Sequence, residues 1–324
     1  MKQIIKSCSV ALMLTLFVIA SDTVGAGTGA DAQLAVLVTG ASTGIGRKIT
    51  EELAERDYFV YAGARKQADL DALNVLDNVQ AVRLDVTIQA EIDAAVETVR
   101  KGGRGLYGLV NNAGVFIGGP VMASSVEDLQ WLYDVNVMGV YRVTQAFAPL
   151  IIESKGRITT IGSIAGILSG TFFSQYSSSK HAIEGFTDGL AAEMERFDVH
   201  VSVVEPGNYN SEITGRAVRK MAEEDYAQEG SPWAADVQGM VAYGSDRSKF
   251  KEPDEVADAV AHALFDDKPK RRYMVVPNAD EADRTIRQAM TELVQLNEGQ
   301  PYEYSRDELV AMLDAVMAGS DPKP

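Results

Sequence analysis

The stretch Leu34–Gly46, which reads LAVLVTGASTGIG, determines the fold class of this chain. Its first five residues form a continuous apolar run, which is typical of a β-strand buried on both faces of a parallel sheet. Three glycines follow within seven residues, and a helix-like pattern starts at Ile45. A glycine-rich turn between a strand and a helix lets the backbone approach a pyrophosphate, whose charge meets the helix N-terminus. The segment therefore predicts a dinucleotide site at the end of the first strand.

The glycine spacing is Gly-x-x-x-Gly-x-Gly, which differs from the Gly-x-Gly-x-x-Gly dinucleotide pattern. A plain tight turn is therefore the alternative interpretation of this segment. The position directly after the first predicted strand favours phosphate binding. The turn residues expected to contact the cofactor are Gly40, Ser42, Thr43, Gly44, Ile45 and Gly46.

The second predicted strand ends in the segment Tyr61–Lys66, where a dinucleotide site commonly carries an acidic residue for the ribose 2′-hydroxyl. No carboxylate occurs there, and Arg65 and Lys66 follow instead. A guanidinium can bind a 2′-phosphate through two hydrogen bonds, whereas a carboxylate would repel it. The segment favours NADP(H) over NAD(H), and a solvated pair of basic side chains is the alternative.

Short apolar runs alternate with longer helix-like stretches along the whole body of the chain. This alternation predicts an α/β fold with a doubly wound parallel sheet, a Rossmann fold, in a single domain over residues 33–277. Residues 278–324 form a charged, helix-like C-terminal extension, expected to pack on the domain or on a second subunit. The segment Asn208–Phe250 is expected to be irregular and to form a mobile flap over the site.

Four further segments follow predicted strands or open predicted helices: Asn111–Gly114, Asn136, Ser163 and Tyr176–Lys180. With the glycine-rich turn, they resemble the short-chain dehydrogenase/reductase family over roughly Leu34 to Pro277. A single Tyr-x-x-x-Lys match carries little weight in a chain with 12 tyrosines, but five motifs in family order are specific. The strand end Tyr61–Arg65 and the segment Val115–Pro120 resemble the hydroxysteroid and retinol dehydrogenase branch.

The resemblance implies a catalytic group formed by Asn136, Ser163, Tyr176 and Lys180. Tyr176 and Lys180 are four residues apart, so on a helix they share one face. A nearby ammonium favours the phenolate, so we expect the pKa of Tyr176 to be lowered and the phenol to act as general acid or base. By resemblance, Lys180 also binds the nicotinamide ribose, Ser163 holds the substrate oxygen, and Asn136 holds a water in a proton relay.

The resemblance also assigns residues around the rest of the cofactor. Asp85 is expected to bind the adenine amino group, and Asn112 and Gly114 to line the ribose. Pro206 and Gly207 are expected to border the nicotinamide, which Tyr176 and Lys180 also contact.

Composition excludes several other classes of function. The formal net charge of −16 argues against nucleic-acid binding, which normally requires a basic face. The only cysteine, Cys8, lies near the N-terminus, so the body has no disulfide, thiolate metal site or cysteine nucleophile. The three histidines, His181, His200 and His262, show no metal-ligand spacing, and no metal is expected.

Residues 1–26 resemble a secretory signal peptide or membrane anchor. Lys2 and Lys6 precede an apolar run from Val10 to Ala20, and small residues around Ala26 offer a cleavage site. The run is short for a membrane span, and a translation start further downstream is the alternative. A genuine leader would make the protein exported or membrane-associated; otherwise a cytoplasmic location is expected. Export is unusual for a nicotinamide-dependent enzyme, so the expected leader and the expected cofactor conflict.

These patterns together predict an oxidoreductase that transfers a hydride between NADP(H) and a secondary alcohol or carbonyl substrate. A non-catalytic dinucleotide sensor on the same fold is the alternative, but it would be expected to lack Tyr176 or Lys180. The partners expected are a small-molecule substrate and further copies of the chain in a homo-oligomer.

Overall fold

A computed structural model describes residues 33–319, and the region 1–26 predicted as a leader lies outside the described residues. The described chain contains a seven-stranded, fully parallel sheet in the order β3-β2-β1-β4-β5-β6-β7. The strands are β1 (Ala35–Val38), β2 (Phe59–Ala64), β3 (Val79–Arg83), β4 (Gly108–Asn111), β5 (Arg157–Ile161), β6 (His200–Pro206) and β7 (Arg272–Val275).

Helices connect successive strands and cover both faces of the sheet, so the predicted doubly wound Rossmann fold is confirmed. The helices are α1 (Gly44–Glu55), α2 (Gln67–Leu73), α3 (Gln89–Gly102), α4 (Val126–Tyr133), α5 (Gly139–Ser154), α6 (Ser174–Met194), α7 (Glu212–Glu223), α8 (Ala234–Ser245), α9 (Asp254–Phe265), α10 (Ala279–Asn297) and α11 (Arg306–Met317). The strand order reverses between β1 and β4, and ligands of such sheets bind in the crevice beyond the strand ends at this point.

Strand β1 shows how the sheet separates two apolar layers. Ala35 and Leu37 pack with residues of α3, α5 and α6 on one face. Val36 and Val38 pack with residues of α1 and α9 on the other. Since side chains alternate along a strand, a strand covered on both faces must be apolar throughout, which explains the uninterrupted run in the sequence.

The long helical stretch after β4 is interrupted in its middle. A π-helical turn, Asp134–Met138, joins α4 to α5, so the break precedes Gly139. Within residues 33–319, the combined segment Val126–Ser154 is the one helix that is long and apolar enough to span a membrane. Just over half of its most apolar window is buried inside the domain, as expected of a core helix.

The prediction that Asn208–Phe250 is irregular is wrong. The segment folds into α7, a short 3-10 turn and α8. Its apolar side chains Met221, Tyr226 and Val237 form a small core with Phe172. The apolar side chains of α7 and α8 pack against each other and against Phe172, away from the sheet. Below, α7 and α8 together with the residues between them are called the lid.

The C-terminal extension is helical, as expected. In α10 only Glu281 and Thr285 are buried, and α11 has no buried residue. Twelve large apolar or aromatic side chains of the extension are exposed, among them Leu296 and Met317. The extension therefore contacts the domain mainly through the first turns of α10.

Candidate active site

The glycine-rich turn after β1 is closed by the loop after β4. The side-chain amide of Asn112 donates hydrogen bonds to the carbonyl oxygens of Thr39 (2.8 Å) and Gly40 (3.1 Å). A β-carbon on Gly46 would lie 2.2 Å from this amide nitrogen, and Gly40 has a φ of +65°. These positions therefore require glycine, because a side chain would either collide or strain the backbone. Asn112, expected to line the cofactor ribose, also closes the turn.

The N-terminus of α1 is available for an anion. Its N-cap residue Thr43 makes no side-chain capping hydrogen bond, and the first turn carries no acidic residue. The free backbone N–H groups and the helix dipole both favour a negative group there. Ser211, just before α7, approaches this turn, since a β-carbon on Gly44 would lie 3.4 Å from its Cβ atom. The turn thus fits a pyrophosphate, and Ser211 is a bordering residue that the sequence analysis missed.

Arg65 lies at the end of β2 beside Asp85, which follows β3. Its Nη1 atom is 3.5 Å from Oδ2 of Asp85, and its side chain is about half exposed (53%). Arg83 donates a hydrogen bond to the carbonyl oxygen of Arg65 (2.6 Å). Two residues expected to contact the adenosine half of the cofactor are therefore in contact with each other, and the guanidinium remains accessible.

Asn136 occupies the π-helical turn and is buried. Its Oδ1 atom accepts from the backbone N–H of Val115 (2.8 Å), and its Nδ2 atom donates to the Val115 carbonyl (2.9 Å) and to the Ser179 hydroxyl (3.1 Å). A β-carbon on Gly114 would lie 3.4 Å from Oδ1 of Asn136. Asn136 thereby joins the loop after β4 to helix α6.

Tyr176 lies in the first turn of α6 and is partly buried against Phe116, with ring centroids 4.7 Å apart. Burial raises the pKa of Tyr176 to about 12, and hydrogen bonding to the Ser163 hydroxyl opposes that rise. Ser163 follows β5, caps a short 3-10 turn by accepting from the Ala165 N–H, and donates to the Pro206 carbonyl (3.4 Å). Ser163, Tyr176 and the end of β6 are therefore adjacent.

Lys180 is buried one helical turn after Tyr176. Its ammonium donates a hydrogen bond to the carbonyl oxygen of Ile161 (2.8 Å) and lies 5.7 Å from the centroid of the Tyr176 ring. Burial lowers the pKa of Lys180 to about 8, and the charge of Glu184 opposes this. The expectation that Lys180 lowers the pKa of Tyr176 does not hold in this structure. Desolvation of the phenol is the largest effect, and the ammonium is directed at the main chain of β5.

Pro206 and Gly207 lie at the end of β6, next to Ser163. The Gly207 N–H donates to the carbonyl of Val275 on β7 (2.8 Å), and the Asn208 N–H donates to the carboxylate of Glu281 (2.8 Å). The predicted catalytic residues and the nicotinamide-bordering residues thus meet around the ends of β5 and β6. Phe116 and Ser179 belong to this group but were not singled out; only the resemblance of the Val115–Pro120 segment pointed towards Phe116.

The lid closes over the loop after β4. Tyr226 donates to the Gly118 carbonyl (3.2 Å), and Lys220 pairs with both carboxylate oxygens of Asp128 on α4 (2.6 Å each). A surface cleft of about 340 Å³ lies beside this contact and is lined by Ala123, Glu224, Asp225, Tyr226, Ser231, Pro232 and Trp233. No group of three His, Cys, Asp or Glu residues within residues 33–319 is arranged to hold a metal ion.

Comparison with known proteins identifies this arrangement. The model of the short chain dehydrogenase family matches residues 34–222, more than half of the chain. The chain belongs to the short-chain dehydrogenase/reductase family. It is therefore an oxidoreductase, a NAD(P)-dependent enzyme that acts on CH–OH groups of small molecules.

Relatives of this short-chain dehydrogenase/reductase include hydroxy-acid and hydroxysteroid enzymes. It is 35% identical over 264 residues to the mitochondrial D-beta-hydroxybutyrate dehydrogenase of Bos taurus, covering 74% of this chain and 76% of the relative. It is 33% identical over 266 residues to a 3beta-hydroxysteroid dehydrogenase of Caenorhabditis elegans, covering 74% and 67%. These relatives match the hydroxysteroid dehydrogenase-like branch.

Among the solved structures similar to this short-chain dehydrogenase/reductase, some contain NAD and others contain NADP or NADPH. A short-chain dehydrogenase/reductase from Burkholderia phymatum in complex with NAD has a TM-score of 0.68 and 26% identity, with 84% of this chain and 98% of that chain covered. A variant of actinorhodin polyketide ketoreductase with NADPH has a TM-score of 0.65 and 27% identity, with 78% and 98% covered.

Proposed function

We propose that this enzyme uses NADP(H) to interconvert a secondary alcohol and a ketone, with Tyr176 as the general acid/base. The observation that supports this most directly is the adjacency of the Tyr176 phenol, the Ser163 hydroxyl and the Lys180 ammonium at the ends of β5 and β6. The bound cofactor would supply or accept the hydride, and the protein would handle the accompanying proton.

The protonation states favour carbonyl reduction at neutral pH. A phenol with a pKa of about 12 keeps its proton at pH 7 and can donate it to a carbonyl oxygen. The Ser163 hydroxyl, which already contacts both Tyr176 and the end of β6, would hold the same oxygen in place. Lys180, with a pKa of about 8, is mostly cationic at pH 7. Its ammonium, bonded to the Ile161 carbonyl in this structure, would turn towards Tyr176 to stabilise the phenolate left after proton transfer.

Asn136 has little hydrogen-bonding capacity left for the proposed water relay. Both N–H groups of its amide are used by Val115 and Ser179, and one lone pair of Oδ1 accepts from Val115. An asparagine carbonyl oxygen has two lone pairs, so one remains for a water. Asn136 would therefore act mainly by holding the Val115 backbone, with the relay water bound at the remaining lone pair of Oδ1.

NADP(H) is supported by the accessible guanidinium of Arg65 and by the absence of a carboxylate at the end of β2. Asp85 beside it would orient Arg65 while accepting from the adenine amino group. Asn112, Gly114, Pro206 and Gly207 would line the rest of the cofactor. The glycine-rich turn and the uncapped α1 N-terminus would hold the pyrophosphate in either dinucleotide, so the preference depends on Arg65.

The substrate side favours an uncharged apolar alcohol or ketone over a hydroxy acid. Phe116 contacts Tyr176 and also packs with the lid cluster beside Phe172 and Met221. Among residues 33–319, Lys220 is the one cation that lines the two clefts between the lid and the loop after β4, and Asp128 already neutralises it. An acidic substrate would meet Glu224 and would lack a free basic partner. The hydroxysteroid relative therefore indicates the substrate class better than the hydroxybutyrate relative.

The proposal is tested by following NADPH absorbance with the purified protein and a panel of ketones. The panel contains bulky apolar ketones, including steroid ketones, and short 3-keto acids. We expect turnover with the apolar ketones and at least tenfold lower kcat/KM with the keto acids. Turnover confined to the keto acids would refute the substrate class, and NADPH binding without any turnover would favour the sensor alternative.

We further propose that residues 33–277 form the catalytic domain, with residues 278–324 as an extension and residues 1–26 as a signal peptide or anchor. Assembly into a homo-oligomer and membrane association through the N-terminus belong to the same proposal. Family membership supports the homo-oligomer. The apolar run Val10–Ala20 supports membrane association.

A further inference from the structure

A side chain of the C-terminal extension contacts the turn that follows β6. Glu281, the third residue of α10, is buried (7% exposed) and accepts a 2.8 Å hydrogen bond from the backbone N–H of Asn208. This N–H belongs to the residue directly after Gly207. A helix outside the residues matched by the family model therefore reaches the segment expected to border the nicotinamide.

The contact is close on both sides. A β-carbon on Gly207 would lie 2.1 Å from Oε2 of Glu281 and 2.9 Å from Cδ of Pro277. Such distances do not occur between real atoms, so residue 207 must be glycine as long as the carboxylate occupies this place. Gly207 is thus explained by the partner on α10, in addition to any approach of the cofactor.

Capping of α10 alone does not explain the position of the Glu281 carboxylate. A glutamate at the third helical position commonly turns back to the N-cap backbone N–H in a capping box. Here the N-cap residue Asn278 accepts from the Glu281 N–H (2.9 Å), and its side-chain amide donates to Oε1 of Glu281 (3.2 Å). Oε2 remains free of the helix and accepts from Asn208. The cap therefore aims the carboxylate at the turn.

Neighbouring residues of the turn have separate anchors. Arg247 donates to the Tyr209 carbonyl (2.5 Å) and to the Asn208 side chain (3.0 Å), and the Tyr209 hydroxyl donates to Glu255 (2.6 Å). Glu281 is the side chain that holds the main chain between Gly207 and Asn208. Its loss should loosen this short stretch while Tyr209 stays in place.

We propose that Glu281 is a positioning residue of the active site, which sets the Gly207–Asn208 main chain against the nicotinamide end of the cofactor. The inference rests on the proposed function for its effect on turnover. The C-terminal extension is then required for the reaction geometry, although it lies outside the part of the chain that the family model matches.

The first test is hydrogen exchange of backbone amides in the full-length protein without cofactor. In Glu281→Ala, the Asn208 amide should exchange at least tenfold faster than in the wild type. The Asn210 amide, which donates to the Lys251 carbonyl outside this stretch (2.8 Å), should change much less. Glu281→Gln retains a carbonyl oxygen and should preserve most of the protection. Unchanged exchange at Asn208 in Glu281→Ala would overturn the proposal. This readout requires no turnover, so it separates a failure here from a failure of the proposed function.

The second test separates positioning from a purely structural role. NADPH affinity by fluorescence and kcat with a saturating apolar ketone are measured well below the melting temperature. We expect Glu281→Ala to weaken NADPH binding and lower kcat, each by about tenfold, and Glu281→Gln to remain within about threefold of the wild type. The matched control is Asp283→Asn, which changes an exposed carboxylate on α10. Within residues 33–319 its ion pair is with Arg287, and the variant should leave both values unchanged. A lower melting temperature in Glu281→Ala with unchanged affinity and kcat would refute the positioning role.

Discussion

Arg65 and Asp85 form an ion pair across the ends of β2 and β3, with 3.5 Å between Nη1 and Oδ2. The other carboxylate oxygen of Asp85 accepts from the N–H and the hydroxyl of Thr87 (2.9 and 2.7 Å). Burial alone would raise the pKa of Asp85, but the Thr87 donors and Arg65 outweigh it, and the pKa lies below its usual value. The carboxylate is therefore ionised at neutral pH and holds the guanidinium at the end of β2, beside the proposed ribose site.

Arg65→Asp should reverse the cofactor preference. The substitution removes the guanidinium that would bind the 2′-phosphate and adds a carboxylate that repels it. The loss of a charge-assisted hydrogen bond corresponds to about 1.5–3 kcal/mol in NADPH binding. Titration calorimetry with NADPH and NADH on the wild type and the variant measures both affinities. Equal affinity of the wild type for the two cofactors would contradict the assignment.

Lys66→Asp is the matched control for this experiment, because it makes the same change of charge one residue later. Lys66 forms no ion pair within residues 33–319, and its side chain is exposed. A clamp at Arg65 predicts a much smaller loss of NADPH affinity in the control. Equal losses of NADPH affinity in Arg65→Asp and Lys66→Asp would indicate that the change in net charge, and not a contact made by Arg65, weakens binding.

Tyr176→Phe should abolish most of the turnover and leave cofactor binding intact. The ring keeps its packing against Phe116, while the hydroxyl that donates the proton is lost. The expected decrease in kcat is at least about 10²- to 10⁴-fold, the range of a lost general acid/base. Stopped-flow kinetics with an accepted ketone and NADPH fluorescence titration provide the two values. Turnover close to that of the wild type would exclude the assigned role.

The rate of carbonyl reduction should decrease as the pH rises through about 8. Below this pH Lys180 is cationic and can stabilise the Tyr176 phenolate; above it the charge is lost. The profile of kcat/KM against pH should therefore show an inflection near 8 in the wild type. Lys180→Ala should react slowly and bind the cofactor more weakly. It should lack this inflection. In the reverse direction, alcohol oxidation, the variant should recover part of its rate at high pH, where the phenol ionises without help. A wild-type profile that is flat between pH 7 and 9 would argue against this role of Lys180.

Glu205 should make the protein less stable as the pH rises from 4.5 towards 8. Burial and the neighbouring Glu184 raise the pKa of Glu205 from 4.5 to about 8, although Arg272 opposes this. Between these values the folded protein keeps a proton that the unfolded chain has lost. The free energy of unfolding therefore falls with pH, by up to about 1.4 kcal/mol per unit for one uncoupled proton.

Glu205→Gln removes this ionisation and keeps the shape of the side chain. The variant should be more stable than the wild type by about 1–3 kcal/mol at pH 8.5, with a smaller difference at pH 5. Urea unfolding at both pH values measures the difference. Glu193→Gln changes an exposed carboxylate on α6, the helix that carries Glu184, and should not reproduce the effect. A difference that is equal at both pH values would contradict the shifted pKa.

If residues 1–26 are a cleaved signal peptide, the mature protein should begin at or near Gly27. Mass spectrometry of the protein isolated from its native host measures the N-terminus. An intact N-terminus in the membrane fraction would indicate an anchor instead, and a start downstream of Ala20 in the transcript would remove both interpretations.

Local patterns predicted the fold and much of the site, whereas features that depend on distant contacts were missed. Gly40 and Gly46 lie in a turn whose geometry is encoded within a few residues, so its position after β1 was predictable. The contact between Glu281 and Asn208 joins segments 73 residues apart, and no spacing rule indicates it. Likewise, the pKa of Tyr176 depends on how deeply Phe116 and its neighbours bury the phenol, which only the folded chain defines.

The π-helical turn Asp134–Met138 fixes the relative rotation of α4 and α5. Such a turn accommodates one more residue than an α-helical turn, and each residue advances an α-helix by about 100°. Removing one residue upstream of Asn136 would let a regular helix form, but α4 and the lid contact made by Asp128 would then be turned by about a quarter of a revolution. An insertion or deletion of one residue here would therefore change the rotation of α4 relative to α5 by the angle of one helical residue.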